Sequence, residues 1–149
     1  MVDETDVKII NHILETGNAR CVDIAKSLGV SGVTVHNRLS RLKKTGALKG
    51  MVPELNLKEF GYDITALIHV TVAGPEQENI FAKYATHKNI CAIYDVSGQY
   101  DTLMIGKFRD TDELSHFVNS LKELPGVKRT NTSIVFRALR ESVLPAALG

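Results

Sequence analysis

The sequence predicts an α+β protein in two parts: an N-terminal winged helix-turn-helix, then a C-terminal ferredoxin-like βαββαβ unit with an antiparallel sheet. Three observations carry that expectation. Apolar residues recur at helical spacing through the first fifty positions, and from Ile64 onward they alternate as in a half-buried strand. Glycines and serines fall where short helices would start and stop. Charge is also divided unevenly. Residues 1–50 hold eight Lys/Arg against five Asp/Glu, and the rest hold ten against twelve, so +3 and −2 combine to the +1 of the whole chain.

The elements follow in order. Val7, Ile10, Ile13 and Leu14 line one face of a first helix that Gly17 stops. Ile24, Ala25 and Leu28 form a shorter second face ended by Gly29. Ser31 can cap a third helix, with Val35, Leu39 and Leu42 at i, i+4, i+7 and Gly46 closing it. Two short helices joined only by L-G-V-S must cross steeply, which is the helix-turn-helix pattern. Ala47–Leu57, with Pro53 inside it, is expected as a β-ribbon or wing running into a linker. Ile64, Ala66, Ile68, Val70 and Val72 then mark a strand, and Ile80, Phe81, Tyr84 and Ala85 a helix face. I-C-A-I-Y-D and L-M-I-G-K-F give two further strands around a turn, V-S-G-Q-Y-D-T. Asp110-x-x-Glu113 reads as a capping box for a helix with Leu114, Phe117, Val118 and Leu121 inward. Pro125-Gly126 turns the chain into a last strand expected over Val127–Leu139. The domains expected are 1–50 as the helix-turn-helix, 51–62 as wing and linker, and 63–149 as the βαββαβ unit.

The third helix is basic. Ser31 to Gly50 holds five Lys/Arg and no acid. On a helical wheel Thr34, Asn37, Arg38 and Arg41 gather roughly 100° from the apolar stripe. Arg can bond guanine, Asn can bond adenine, and a Thr methyl can touch thymine, so the stripe has the chemistry of a major-groove reader. Lys43 and Lys44 follow where phosphate contacts would position it. Gly32, just behind the Ser31 cap, permits close approach to a phosphate or merely loosens the first turn. His36 touches a phosphate or faces solvent.

Together, D-E-T-D-V-K-I-I-N-H-I-L, D-I-A-K-S-L-G-V-S and T-V-H-N-R-L-S-R-L-K-K-T-G-A-L resemble the leucine-responsive/asparagine-regulator (Lrp/AsnC, feast/famine) family of bacterial and archaeal transcription regulators. The likeness runs through the βαββαβ half and covers nearly the whole chain. Arg20 departs from it, standing where the family usually has a Ser or Thr cap. The resemblance implies a homodimer, and higher assemblies such as octamers, on a palindromic double-stranded operator. It also implies a small effector, usually an amino acid, bound where dimers meet at a turn with a G-x-x-D signature. Gly98, Gln99, Tyr100 and Asp101 match that signature here.

The chemistry of the turn is compatible with that role. Asp101 can accept from an ammonium, backbone N–H groups around Ser97 and Gly98 can meet a carboxylate, and Tyr100 offers an apolar wall with a polar rim. Thr130, Thr132 and Ser133 on the last strand could reach the pocket from a neighbouring subunit. A purely structural turn explains the same residues: Gly98 at positive φ, Asp101 bonding backbone amides, Tyr100 packed between subunits.

No catalytic residue is assigned. His12, His36, His69, His87 and His116 lack metal-ligand spacing, and no nucleophile motif, phosphate loop or dinucleotide fingerprint occurs. No metal or cofactor is expected beyond the amino-acid effector. Cys21 and Cys91 form no C-x-x-C pair, no apolar run is long enough for a membrane, and the acidic start lacks a signal core, so a cytoplasmic location is expected. Two rival classes remain: an architectural DNA-binding protein without effector, and a ferredoxin-like metabolic enzyme.

Overall fold

The computed structural model of the protein describes residues 1–142, 144 and 148. It divides into two compact units, Met1–Glu54 with Arg140–Gly149, and Leu55–Leu139. The tail therefore leaves the C-terminal half to which residues 63–149 were assigned. A reciprocal pair of bonds accounts for part of this: the Asn11 side-chain amide donates to the Leu148 carbonyl at 2.9 Å and accepts its N–H at 3.0 Å.

The first unit is three helices, α1 (Glu4–Thr16), α2 (Cys21–Leu28) and α3 (Gly32–Lys44). Asp3 and Asp6 form a reciprocal capping box at the start of α1, each carboxylate accepting the other's backbone N–H at 3.0 Å. Arg20 gives α2 no side-chain cap. Asn18 compensates, accepting the Arg20 N–H at 2.9 Å and donating to Asp23 at 2.7 Å. Ser31 caps α3 by accepting the Thr34 N–H at 3.0 Å. Ile9, Ile24, Ala25, Val35 and Leu39 close the core between the helices. The β-ribbon expected after α3 is not formed: Ala47–Asn56 carries no strand, and a single 3₁₀ turn follows at Leu57–Phe60. Pro53 has no N–H to give a ladder, and residues 49–56 are exposed with no strand beside them to pair with.

The second unit is β1 (Ile64–Val72), α4 (Glu76–Tyr84), β2 (Ile90–Asp95), β3 (Thr102–Phe108), α5 (Thr111–Lys122) and β4 (Val127–Ile134). All pairs are antiparallel, in the order β2-β3-β1-β4. Alternation puts Ala66, Ile68, Val70, Met104 and Phe108 on one face, where Ile80, Tyr84, Leu114, Phe117 and Leu121 of the two helices cover them. Gly106 allows close packing within that face: a Cβ there would stand 2.6 Å from the Phe108 ring. Asp110 caps α5 as expected, but Glu113 reaches back one residue further, to the Arg109 N–H at 2.8 Å, and also meets Lys88. β4 stops five residues short of Leu139. Ala66 pairs with Ile134 and Thr65 still accepts the Val135 N–H, but β1 begins at Ile64, so the ladder runs out.

The opposite face of the sheet has no helix over it. Register places Thr65, Leu67, His69 and Thr71 there, with Leu103, Ile105 and Lys107 of β3, Arg129, Asn131 and Ser133 of β4, and Ala92 and Tyr94 of β2.

Candidate functional site

The residues expected to carry function fall in two regions, one in each unit. In the first, α3 is held by its buried stripe of Val35, Leu39 and Leu42. This orientation sorts the expected DNA contacts into two groups. Asn37, Lys43 and Lys44 are exposed, and so is Ser31, although its hydroxyl is engaged as the cap and lies 2.8 Å from the Thr34 hydroxyl. Gly32 opens the helix with nothing within 4 Å of where a side chain would start.

Arg38 and Arg41 are held within the unit. The Arg38 guanidinium donates to Asp3 at 2.6 and 2.7 Å and to Asp6 at 3.0 Å. Arg41 donates to the other oxygen of Asp6 and lies 3.6 Å from Asp3. Asp6 is fully buried, whereas the arginine side chains remain 27% and 45% exposed, so the cations keep some water and the carboxylate keeps none. Hydrogen bonding from Arg38 holds the Asp3 carboxyl down at about 2, and the same pairing raises the Arg38 guanidinium. Both arginines thus tie α3 to the start of α1.

What α3 leaves outward is a stripe shifted from the one expected: Val33, Asn37, Ser40 and Lys44, at i, i+4, i+7 and i+11, with His36 and Lys43 beside it. Val33 is 68% exposed, an apolar side chain on a basic surface. Sequence reasoning missed Val33 and Ser40. The available signal was the acidic pair at the start of α1, which gives two of the four basic side chains on α3 a partner inside the fold.

In the second unit the β2–β3 turn is tightly tied. Gly98 has φ +121°, a conformation that favours glycine. The Val96 N–H donates to the Asp101 carbonyl, and the Asp101 N–H donates to Val70. One Asp101 carboxylate oxygen accepts the Val72 N–H at 2.9 Å. Gln77 of α4 donates to Asp95 at 3.0 Å and to the Asp101 carbonyl at 3.2 Å. Ser97, Gly98 and Gln99 are exposed at the tip.

Tyr100 turns onto the open face of the sheet. Its ring lies 5.1 Å from that of His69, the Arg129 guanidinium sits 5.5 Å from its centroid, and its hydroxyl accepts from Asn131 at 3.1 Å. The expected β4 residues divide. Ser133 shares the open face with Tyr100, while Thr130 and Thr132 pair with Val70 and Ile68 and so point to the helix-covered side. His69, Arg129 and Asn131 were not expected at the site. Their period-two spacing on adjacent strands was readable, but the register that aligns them was not. Among the described residues no group of His, Cys, Asp or Glu could hold a metal ion, and no helix is long and apolar enough to cross a membrane.

Comparison with known proteins finds a family match for each of the two units. Residues 2–49 match a winged helix-turn-helix DNA-binding family model, and residues 65–145 match the Lrp/AsnC ligand binding domain. The chain is 33% identical over 141 residues to an HTH-type transcriptional regulator of Pyrococcus abyssi, covering 95% of this chain and 96% of the other. It is 28% identical to the regulator FL11 of Pyrococcus horikoshii, over 95% and 93% of the two chains. Among solved structures, a transcriptional regulator of Neisseria meningitidis in complex with L-Met superposes with a TM-score of 0.90 at 24% identity, over 97% of each chain. AsnC of E. coli superposes at 0.86 and 23% identity, covering 97% of this chain and 98% of that one.

Proposed function

The chain belongs to the Lrp/AsnC family of DNA-binding transcription regulators, which are not enzymes, and from that premise we propose that it reads a palindromic operator as a homodimer whose assembly is tuned by an amino acid. The observation that carries the DNA reading is the outward stripe of α3. In this reading Val33 meets a thymine methyl, Asn37 bonds adenine, and Ser40 bonds a base edge of either kind. Lys43 and Lys44 face phosphates, with Ser31, Gly32 and Thr34 at the helix start close to the backbone. Arg38 and Arg41 set the pitch of α3 against α1. Twofold symmetry would space two such helices about 34 Å apart.

Pairing of two open sheet faces through Leu67, Leu103 and Ile105 supplies the dimer, and exposed Phe60, Phe136 and Leu139 supply apolar surface for larger assemblies such as octamers. The effector reading rests on the Gly98–Asp101 turn and on the L-Met held by the Neisseria meningitidis regulator. An effector acts by binding one assembly more tightly than another. The bond from Val72 to Asp101 favours a second reading, in which the turn is assembly surface and the protein is an architectural DNA binder.

Selection of operator sequences followed by binding over a salt series tests the DNA reading. Lys44→Ala should lower affinity uniformly and reduce the salt slope by about 1. Val33→Ala and Asn37→Ala should instead relax base preference by about 1–3 kcal/mol at single positions. Salt-insensitive binding by the intact protein would sink the proposal. A melting screen against the twenty amino acids separates the effector reading from the architectural one, since a ligand at about 100 times its Kd adds roughly 2.7 kcal/mol.

A further inference from the structure

The open face of the sheet has an uneven chemistry. None of its strand positions is Asp or Glu, yet it holds Lys107, Arg129 and His69. Lys107 lies toward one end and donates to Thr65 at 2.9 Å. At the other end, beside the turn, four polar side chains from three segments converge: His69 of β1, Tyr100 of the turn, and Arg129 and Asn131 of β4. The register fixes them as neighbours, with His69 opposite Asn131 and Thr71 opposite Arg129.

This cluster is rich in donors and contains no carboxylate. Among the described residues Arg129 makes no ion pair, and its recorded partner is the face of the Tyr100 ring. Such stacking holds a guanidinium in place while leaving its N–H fork at the ring edge for an acceptor. Asn131 spends one amide hydrogen on the Tyr100 hydroxyl and has another to give. The phenol hydrogen, freed from that bond because the oxygen is the acceptor, is a further donor. The His69 Nδ1 is buried without a hydrogen-bond partner among the described residues.

We propose that His69, Tyr100, Arg129 and Asn131 form a carboxylate-binding subsite, and that it takes the α-carboxylate of the amino-acid effector. The inference rests on the effector reading above and changes its geometry. The carboxylate goes to side chains on the sheet face and not to the backbone at Ser97 and Gly98. The ammonium goes to Asp101, whose Oδ2 is bonded to Val72 and whose other oxygen is the candidate acceptor. Opposite charges then meet the two ends of a zwitterion, Arg129 its carboxylate and Asp101 its ammonium. The subsite lies at the turn end of the face, where His69 pairs directly with Leu103, so it borders the positions proposed for subunit pairing.

Calorimetric titration of the full-length protein tests this. The tightest of the twenty amino acids is compared with its carboxamide and with its 2-oxo acid, which keeps the carboxylate and lacks the ammonium. The expected result is loss of binding by the carboxamide and retained, weaker binding by the 2-oxo acid. Arg129→Gln should weaken the amino acid by about ten- to a hundred-fold, the range for a charged hydrogen bond, with Arg129→Lys restoring part of it. Asn131→Asp, which places a carboxylate in the cluster without touching Arg129, should weaken binding comparably; an unchanged unliganded melting point shows that each variant is folded. Full-strength binding of the carboxamide, or by Arg129→Gln and Asn131→Asp, overturns the subsite while the effector reading stands. Absence of binding by all twenty amino acids overturns both.

Discussion

Asp6→Ala separates the two jobs an arginine on α3 could have. Asp6 is buried, and its carboxylate accepts from the Asp3 N–H, Arg38 and Arg41. Deleting it removes half of a capping box, worth about 1 kcal/mol, and charge-assisted bonds worth about 1.5–3 kcal/mol. Both arginines can turn to water, since neither is fully buried. No charge is stranded, so the loss should stay below the 3–5 kcal/mol of a broken buried pair. We expect about 2.5–3 kcal/mol, read by chemical denaturation of the full-length protein. The DNA consequence is sharper than the stability one. If the arginines position α3, Asp6→Ala lowers the ratio of operator to random-sequence affinity even in conditions where the variant is fully folded. If instead they read bases, releasing them from Asp6 leaves that ratio unchanged or raises it, and the positioning role is wrong.

Three further outcomes follow from individual contacts. The Asp3 carboxyl is lowered from 3.8 to about 2 by Arg38, so its stabilisation is complete above pH 4 and disappears as the pH falls toward 2; Asp3→Asn should erase that part of the acid transition followed by circular dichroism. Ser31→Ala should cost about 1 kcal/mol by loss of the α3 cap, whereas Ser31→Asp should keep most of it. Gly106→Ala forces a Cβ to 2.6 Å from the Phe108 ring and 3.2 Å from the Asn89 carbonyl, for a loss of about 1–3 kcal/mol in the melting of the second unit.

The legible parts of this protein were those governed by local rules. Alternation along Ile64–Val72 and the caps at Ser31 and Asp110 depend on residues within a few positions of each other, and the structure has them as read. Partnerships across the chain were not legible. The ion pairs of Arg38 with Asp3 and Asp6, some thirty-five residues away, cannot be read from a helical wheel. Thr130 and Thr132 looked equivalent to Ser133 until the β1–β4 register put them on opposite faces. Periodicity placed the β2–β3 turn, but neither it nor the Lrp/AsnC likeness could say that Tyr100 would meet His69, Arg129 and Asn131.

The tail that bonds Asn11 makes the first unit discontinuous in sequence. Its peptide chain leaves after Glu54 and returns at Arg140. A fragment ending near residue 54 would look like a whole DNA-binding module, yet it would lack the strand of chain that engages the middle of α1. Cutting just after Leu139, to trim what looks like a loose end of the sheet domain, would damage the same module from the other side. Either truncation would remove the reciprocal Asn11–Leu148 bonds from the first unit.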